Sequence, residues 1–499
     1  MNLDKFYSVV FGNDKVEVSA EDMQTVAGSY EFLERFAAKK LIYGINTGFG
    51  PMAQYRIDEA SMRQLQINLI RSHCTGVGQI LSAEETKAVM LTRLNTFLQG
   101  YSGVHTDTIE LLQVLINNNI TPVIYEHGSV GASGDLVQLA HLALCLVGEG
   151  EVMVDGCRRK TEDVFGQMGI KPLRIHLREG LALTNGTSVM TAIGLINVLR
   201  AKRLIELSVT LSSMINEVVG AFDDHFSEEL NMAKRHKGQR EIARTMRYIL
   251  ATSRCIRKRE NYFYNQEIKD NFIEHKVQEY YSLRCVPQIL GAIADEADNA
   301  ERVLLDEFNS ASDNPIIDVK TGNVYHGGNF HGDYVAFEMD KLKTGITKLT
   351  MLAERQLNYL CHNKLNGILP PFVNLGVLGL NYGVQAAQFT ATSTTAECQT
   401  LSMPMYVHSI PNNNDNQDIV SMGTNAALIT KRVIENSFQV LAIEAVAMVQ
   451  AVDYLQIADL LSIKTRQLYD RVRRVVPLFV EDNPLYGAIE ELVEELKKK

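Results

Sequence analysis

The sequence predicts a mainly α-helical protein built on a bundle of long helices, and three observations carry that expectation. In ITKLTMLAERQLNYL, the residues Ile346, Leu349, Ala353, Leu357 and Leu360 recur at three-to-four spacing and form one apolar stripe. In FQVLAIEAVAMVQAVDYLQ, residues 438–452 are apolar nearly all round, interrupted by Gln439, Glu444 and Gln450. A helix of that kind must be covered on every side by other helices or by other subunits. Strand signals, by contrast, are few, and several long helices with few strands make a bundle the natural architecture.

Residues 20–38 open the chain with a short amphipathic stretch, followed by LIYGINTGFG, where Gly44, Gly48 and Gly50 with Asn46 mark an irregular loop. Residues 57–118 read mainly as helices, with EETKAVMLTRLNTFLQ alternating at helical period. EVMVDGCRRK is expected to be a small hairpin, because Asp155-Gly156 favours a tight primed turn. From about residue 190 the texture changes to long helical runs, ending in the charged tail EELVEELKKK. The expected division is therefore a smaller N-terminal domain, 1–190, and a region of long helices, 191–499.

The composition narrows the function. With 46% hydrophobic and 22% charged residues among 499, the chain can build a large core, which excludes disorder over most of its length. A net charge of −10 argues against a nucleic-acid binder. Apolar stretches such as 139–147 are too short to span a bilayer, so no membrane association is expected. The N-terminus MNLDKFYSVVFGNDK lacks the pattern of a secretory signal. Seven scattered cysteines without a C-x-x-C pair fit reduced thiols in a cytoplasmic protein. No metal is expected either: His326 and His331 stand five apart in YHGGNFH, but Gly327 and Gly328 between them argue against a regular helical face.

The most informative segment is EHGSVGASGDLVQLAHLAL, residues 126–144, where Gly128, Gly131 and Gly134 precede a helical pattern. One reading is a phosphate cradle, but G-x-x-G-x-x-G matches neither the dinucleotide fingerprint nor the Walker loop, and no lysine follows. A second is a helix-entry loop with Asp135 as N-cap. The third is chemical. Ala132-Ser133-Gly134 followed by Asp135 resembles the sequence that, in the aromatic amino acid ammonia-lyase and aminomutase family, cyclises on itself to 4-methylidene-imidazole-5-one. Gly134 lets its nitrogen approach the Ala132 carbonyl at a strained geometry, Ser133 loses its hydroxyl as water, and Ala132 is small enough for the bend.

The resemblance extends beyond that tripeptide. YGINTGFG (43–50), GSVGASGDL (128–136), LTNGTSVM (183–190), QEYYSLRCVPQILG (278–291), SASDNPIID (310–318), GGNFHGD (327–333) and NQDIVSMG (416–423) resemble family blocks in family order. Val137-Gln138 departs from the Ala-Pro of many members without touching the cyclising atoms. Within the family, the chain resembles bacterial tyrosine ammonia-lyases and, in places, histidine ammonia-lyases. The resemblance implies an aspartase/fumarase-like architecture and the prosthetic group made from Ala132, Ser133 and Gly134, with no external cofactor. It also implies a small aromatic amino acid as substrate and a homotetramer whose active sites draw on several chains.

The same resemblance assigns roles. Eliminating ammonia requires a better leaving group than a free amine, supplied by the prosthetic group, and a base for the β-proton, which the resemblance places at Tyr43. A tyrosine is a poor base at neutral pH unless its phenolate is stabilised, and positive helix N-termini can contribute that. Arg284 matches the arginine that grips the substrate carboxylate, its planar fork suiting two parallel hydrogen bonds. Tyr281 matches a tyrosine near the prosthetic group, Asn185 an amide bonded to carboxylate and ring, and Phe330 a wall against the substrate ring. Gly50, Gln278 and Asn413 match further substrate-binding positions.

Two positions bear on the aromatic ring and disagree. Ser72-His73 matches the pair typical of histidine lyases. Gln417, in NQDIV, stands where histidine lyases commonly carry a glutamate that can pair with an imidazole, and it is uncharged as in phenylalanine and tyrosine lyases. His73 can hydrogen-bond a phenol instead. The expected activity is L-tyrosine to p-coumarate; the alternatives are L-histidine to urocanate, tyrosine aminomutase chemistry, or a helical scaffold that has lost the chemistry.

Overall fold

Long helices recur from residue 188 onward. In this computed structural model, which describes residues 1–12, 14–38, 40–265, 271–273 and 276–498, four of them are Ser188–Val218, Val286–Phe308, Asp333–Cys361 and Gly423–Leu455. The stripe Ile346, Leu349, Ala353, Leu357 and Leu360 is buried. In 438–452 only Gln439 is exposed, and Glu444 and Gln450 are buried with their apolar neighbours. That helix is long and apolar enough to cross a membrane, yet most of it is buried within the protein, as in the core of a globular fold.

The described residues form two compact units, the first comprising 1–197, 300–340 and 404–429, the second 198–299, 341–403 and 430–499. This differs from a single boundary at 190/191. The four long helices pass from residues of one unit into residues of the other, so the chain returns to the first unit twice.

The first unit carries short strands as well as helices. Glu151–Val154 pairs antiparallel with Cys157–Lys160 around Asp155 and Gly156, at φ 50° and 74°, as a primed turn requires. Thr121–Pro122 extends this hairpin to three strands. Val77–Ile80 pairs with Tyr125–His127, a strand inside the stretch expected to be helical. Ile316–Asp318 and Asn323–Tyr325 form a third small sheet. Three helices, Met62–His73, Leu136–Leu146 and Glu179–Thr184, pack on one another. The loop 128–135 leaves the strand Tyr125–His127 and enters Leu136–Leu146, so it is clamped at both ends. In the second unit, the helices Lys237–Leu250 and Ile463–Val475 pack together, as do Ile463–Val475 and Tyr486–Lys497.

Candidate active site

Asp135 explains how the loop is held. It sits at the N-cap of Leu136–Leu146, but its side chain does not cap that helix. Its carboxylate instead accepts from Val189 N (2.8 Å) and Met190 N (3.0 Å), orphan donors of the Ser188–Val218 helix, and from the hydroxyls of Ser129 (2.8 Å) and Thr424. Burial raises the carboxyl above its ordinary value, while these donors oppose the shift. Asp135 N donates to Gly186 O at 2.8 Å, binding the loop to the turn after Asn185. On its other side, Ser421 Oγ and Gly332 N donate to Gly131 O, and Met422 N donates to Val130 O.

Gly134 lies at φ 74°, and a Cβ there would meet Gly186 O at 2.0 Å. Only glycine fits. Ala132 is buried, whereas Ser133 turns its hydroxyl to a cavity and accepts there from Gln417 Nε2 at 2.8 Å. The Ser133 carbonyl oxygen accepts from Asn185 Nδ2 (2.9 Å) and Gly186 N (3.4 Å). Asn185 is itself oriented, because its Oδ1 accepts from Asn314 N at 2.8 Å and its carbonyl from the buried Arg93 at 2.8 Å.

The cavity has a volume of about 570 Å³ and lies wholly within the first unit. Tyr43, Gly50, Ser72, His73, Ser133, Asn185, Phe330, Asn413 and Gln417 all line it, so residues spread over most of the chain's length meet there. Tyr43 and Phe49 pack edge to face at 6.2 Å, and Gly50 N donates to Tyr43 Oη at 3.0 Å. His73 Nδ1 is 2.9 Å from the Leu69 carbonyl oxygen. The same nitrogen lies 3.1 Å from Ser72 Oγ; in the Nδ1–H tautomer of a neutral ring, which suits the carbonyl, Nε2 is the acceptor.

Gln278, Tyr281 and Arg284 do not line this cavity. They belong to the second unit and line one of its own, of about 660 Å³, together with Tyr280, Arg355 and Tyr359. Arg284 donates to Gln278 Oε1 at 2.5 Å and lies 4.6 Å over the Tyr281 ring.

Asn68, Asn314 and Asn416, which the sequence reading does not single out, also line the first cavity, as does His326, weighed there only as half of a metal pair. Asn314 and Asn416 stand inside two of the recognised blocks, and Asn68 precedes Ser72 by one helical turn, signals that were available. His326 lines the cavity, while His331 pairs with Asp333 at 3.2 Å. Among the described residues the group with metal-ligand geometry is His105, Asp107 and His176, elsewhere in the first unit.

Comparison with known proteins bears on the chain's family and fold. The family model for aromatic amino acid lyase matches residues 1–474. A histidine ammonia-lyase of Geobacillus thermodenitrificans is 39% identical over 492 residues, covering 98% of this chain and 94% of that protein. A tyrosine 2,3-aminomutase of Chondromyces crocatus is 38% identical over 478 residues, covering 94% and 90%. The crystal structure of a tyrosine aminomutase from Streptomyces globisporus superposes with a TM-score of 0.95 at 36% identity, covering 100% of this chain and 95% of that one. Matching in sequence over nearly its whole length and in its long-helix fold, the chain belongs to the aromatic amino acid lyase family.

Proposed function

We propose that this enzyme eliminates ammonia from L-tyrosine to give p-coumarate, using a methylidene-imidazolone formed autocatalytically from Ala132-Ser133-Gly134. The observation that carries the substrate reading is the polar part of the first cavity's wall, with an uncharged amide at Gln417 and an imidazole at His73 whose Nε2 accepts when Nδ1 donates to Leu69 O. A phenol hydroxyl donates to such a nitrogen, and no carboxylate at position 417 favours an imidazole.

The loop suits the prosthetic group. Gly134 has no side chain where a Cβ would collide, Ala132 is small and buried, and the Ser133 hydroxyl faces the cavity. The ring would supply an electrophilic carbon that takes the substrate nitrogen and turns it into a better leaving group. The chain's side chains do the rest. Tyr43 Oη removes the β-proton, its position fixed by the Gly50 N–H. Asn185 Nδ2 and Gly186 N hold the Ser133 carbonyl oxygen in place. Phe330 walls the substrate ring, and Ser72 and Asn413 line the same cavity. Arg284 grips the substrate carboxylate through two parallel hydrogen bonds, with Gln278 and Tyr281 beside it. Those three residues line a separate cavity, so the reading includes a D2 homotetramer with active sites shared among chains, working in the cytoplasm.

A second reading, histidine to urocanate, is favoured by Ser72-His73 and by the histidine ammonia-lyase at 39% identity. The aminomutase relatives favour returning the amine to the β-carbon of tyrosine. Two variants test the wall. His73→Phe shifts kcat/KM from tyrosine toward phenylalanine by about tenfold or more, equivalent to about 1.4 kcal/mol. Gln417→Glu raises kcat/KM for histidine. Accumulation of β-tyrosine as the main product replaces lyase by mutase, and preferences that stay put in both variants defeat the reading.

A further inference from the structure

We infer that Gln66, which none of the sequence blocks contains, is a positioning residue that sets the catalytic base against the prosthetic loop. It stands on the Met62–His73 helix, the helix that also presents Ser72 and His73, and is completely buried. Its Nε2 donates to Gly44 O at 2.8 Å, and its Oε1 accepts from Leu181 N at 2.9 Å. A neutral amide performs both tasks at one place at any ordinary pH.

Each bond reaches a part of the site. Leu181 is the third residue of the helix Glu179–Thr184, so its N–H has no partner within that helix and Gln66 Oε1 satisfies it. The same helix ends at its C-cap Asn185, whose side chain donates to Ser133 O. The approach is close, since a Cβ at Gly180 would meet Gln66 O at 2.7 Å. On the other side, the Gly44 peptide follows Tyr43 directly. The Gly44 N–H goes to Thr47 Oγ1 at 3.0 Å and the Gly44 oxygen accepts from Gln66, so the peptide groups on both sides of Gly44 are held. Gly44 lies at φ 72°, and a Cβ there would meet Leu181 Cδ2 at 2.4 Å, so the loop also rests on the helix that Gln66 caps. One buried amide therefore relates the Tyr43 loop, the Asn185 helix and the His73 helix. Proton transfer to Tyr43 depends on that relation, because a shift of about 1 Å in such a constellation costs on the order of 100-fold in rate.

The inference rests on the lyase reading for its kinetic arm. Gln66→Met keeps the volume and removes both hydrogen bonds. It lowers kcat roughly 10- to 100-fold with KM within about threefold, and raises the primary isotope effect measured with β-deuterated tyrosine, because C–H cleavage becomes more rate-limiting. Hydrogen exchange at the Gly50 amide, held by Tyr43 Oη, speeds up in the folded variant. Gln66→Glu keeps the acceptor for Leu181 and keeps a donor to Gly44 only while protonated, so its activity falls from near parent toward Gln66→Met as pH rises. An unchanged isotope effect, with activity falling only in step with the fraction of cyclised protein, overturns the inference; so does failure of both variants to fold, which makes Gln66 structural only. A parent enzyme that does not turn over tyrosine sinks the lyase reading instead, and Gly50 exchange then decides the positioning role on its own.

Discussion

The two cavities that hold the expected site residues are built from different chemistry. The first combines apolar side chains with amides and backbone groups held in hydrogen bonds: Asn185 between Ser133 and Asn314, Tyr43 on Gly50. The second brings Arg284 over the Tyr281 ring and against Gln278, with Arg355, Glu279, Tyr280 and Tyr359 also in its wall. Groups that must meet reacting atoms within a fraction of an ångström are tied into a peptide network. A group that grips an anion needs charge and reach more than fixed bonds. Substitutions in the first cavity should therefore reduce kcat, and those in the second should raise KM.

The largest effect is expected at Ser133. Mature parent protein has a mass about 36 Da below that of the encoded chain, two waters lost in cyclisation. Ser133→Ala cannot form the methylidene and loses turnover by at least about 10³-fold; full-length parent at the encoded mass, yet active, contradicts the assignment. Tyr43→Phe comes next. It retains the mass deficit but loses roughly 10²- to 10⁴-fold in kcat, as removal of a general base does. A Tyr43→Phe enzyme with near-parental kcat moves the base elsewhere, with Tyr281 the next candidate.

Arg284→Met breaks the pattern in the other direction. Losing a charge-assisted pair costs about 1.5–3 kcal/mol, read as a KM raised about 10- to 100-fold with kcat far less affected. If kcat falls instead and KM stands still, the division of labour between the cavities is wrong.

The smallest effect lies in the second unit away from its cavity. Burial pushes the Glu444 carboxyl well above its ordinary value, and one of its oxygens is unpaired. The folded chain thus binds a proton that the unfolded chain releases above about pH 4.5, so stability contributed by the protonated form is lost as pH rises. The slope is at most about 1.4 kcal/mol per pH unit and vanishes in Glu444→Gln, whose thermal midpoint should gain on the parent as pH rises. A midpoint difference independent of pH would contradict a protonated Glu444.

What the sequence could express depended on the range of the interaction. The 151–160 hairpin is legible because its turn residues carry their own conformational demand, and the 346–360 stripe because its periodicity is local. Val77–Ile80 is a four-residue strand exposed throughout, so it has no burial pattern to leave in the sequence. Asp135 reads as the cap of the helix that follows it, but its carboxylate meets the orphan amides of a helix more than 50 residues later, a demand that local pattern does not reveal. The first cavity was largely legible through recognised blocks rather than physics. The isolated Tyr43 or Asn185 is an ordinary loop residue until the fold brings it to Ser133. Gln66 stayed hidden because a buried glutamine inside an amphipathic helix carries no local signature.

The central claim is that this polar wall selects a phenol over an imidazole. Equal low concentrations of L-tyrosine and L-histidine, offered together to the purified enzyme, give a product ratio equal to the ratio of the two kcat/KM values. The account predicts p-coumarate over urocanate by at least about tenfold, which requires only about 1.4 kcal/mol of differential transition-state binding. Urocanate forming faster than p-coumarate would contradict it and make Ser72-His73 the better guide than Gln417.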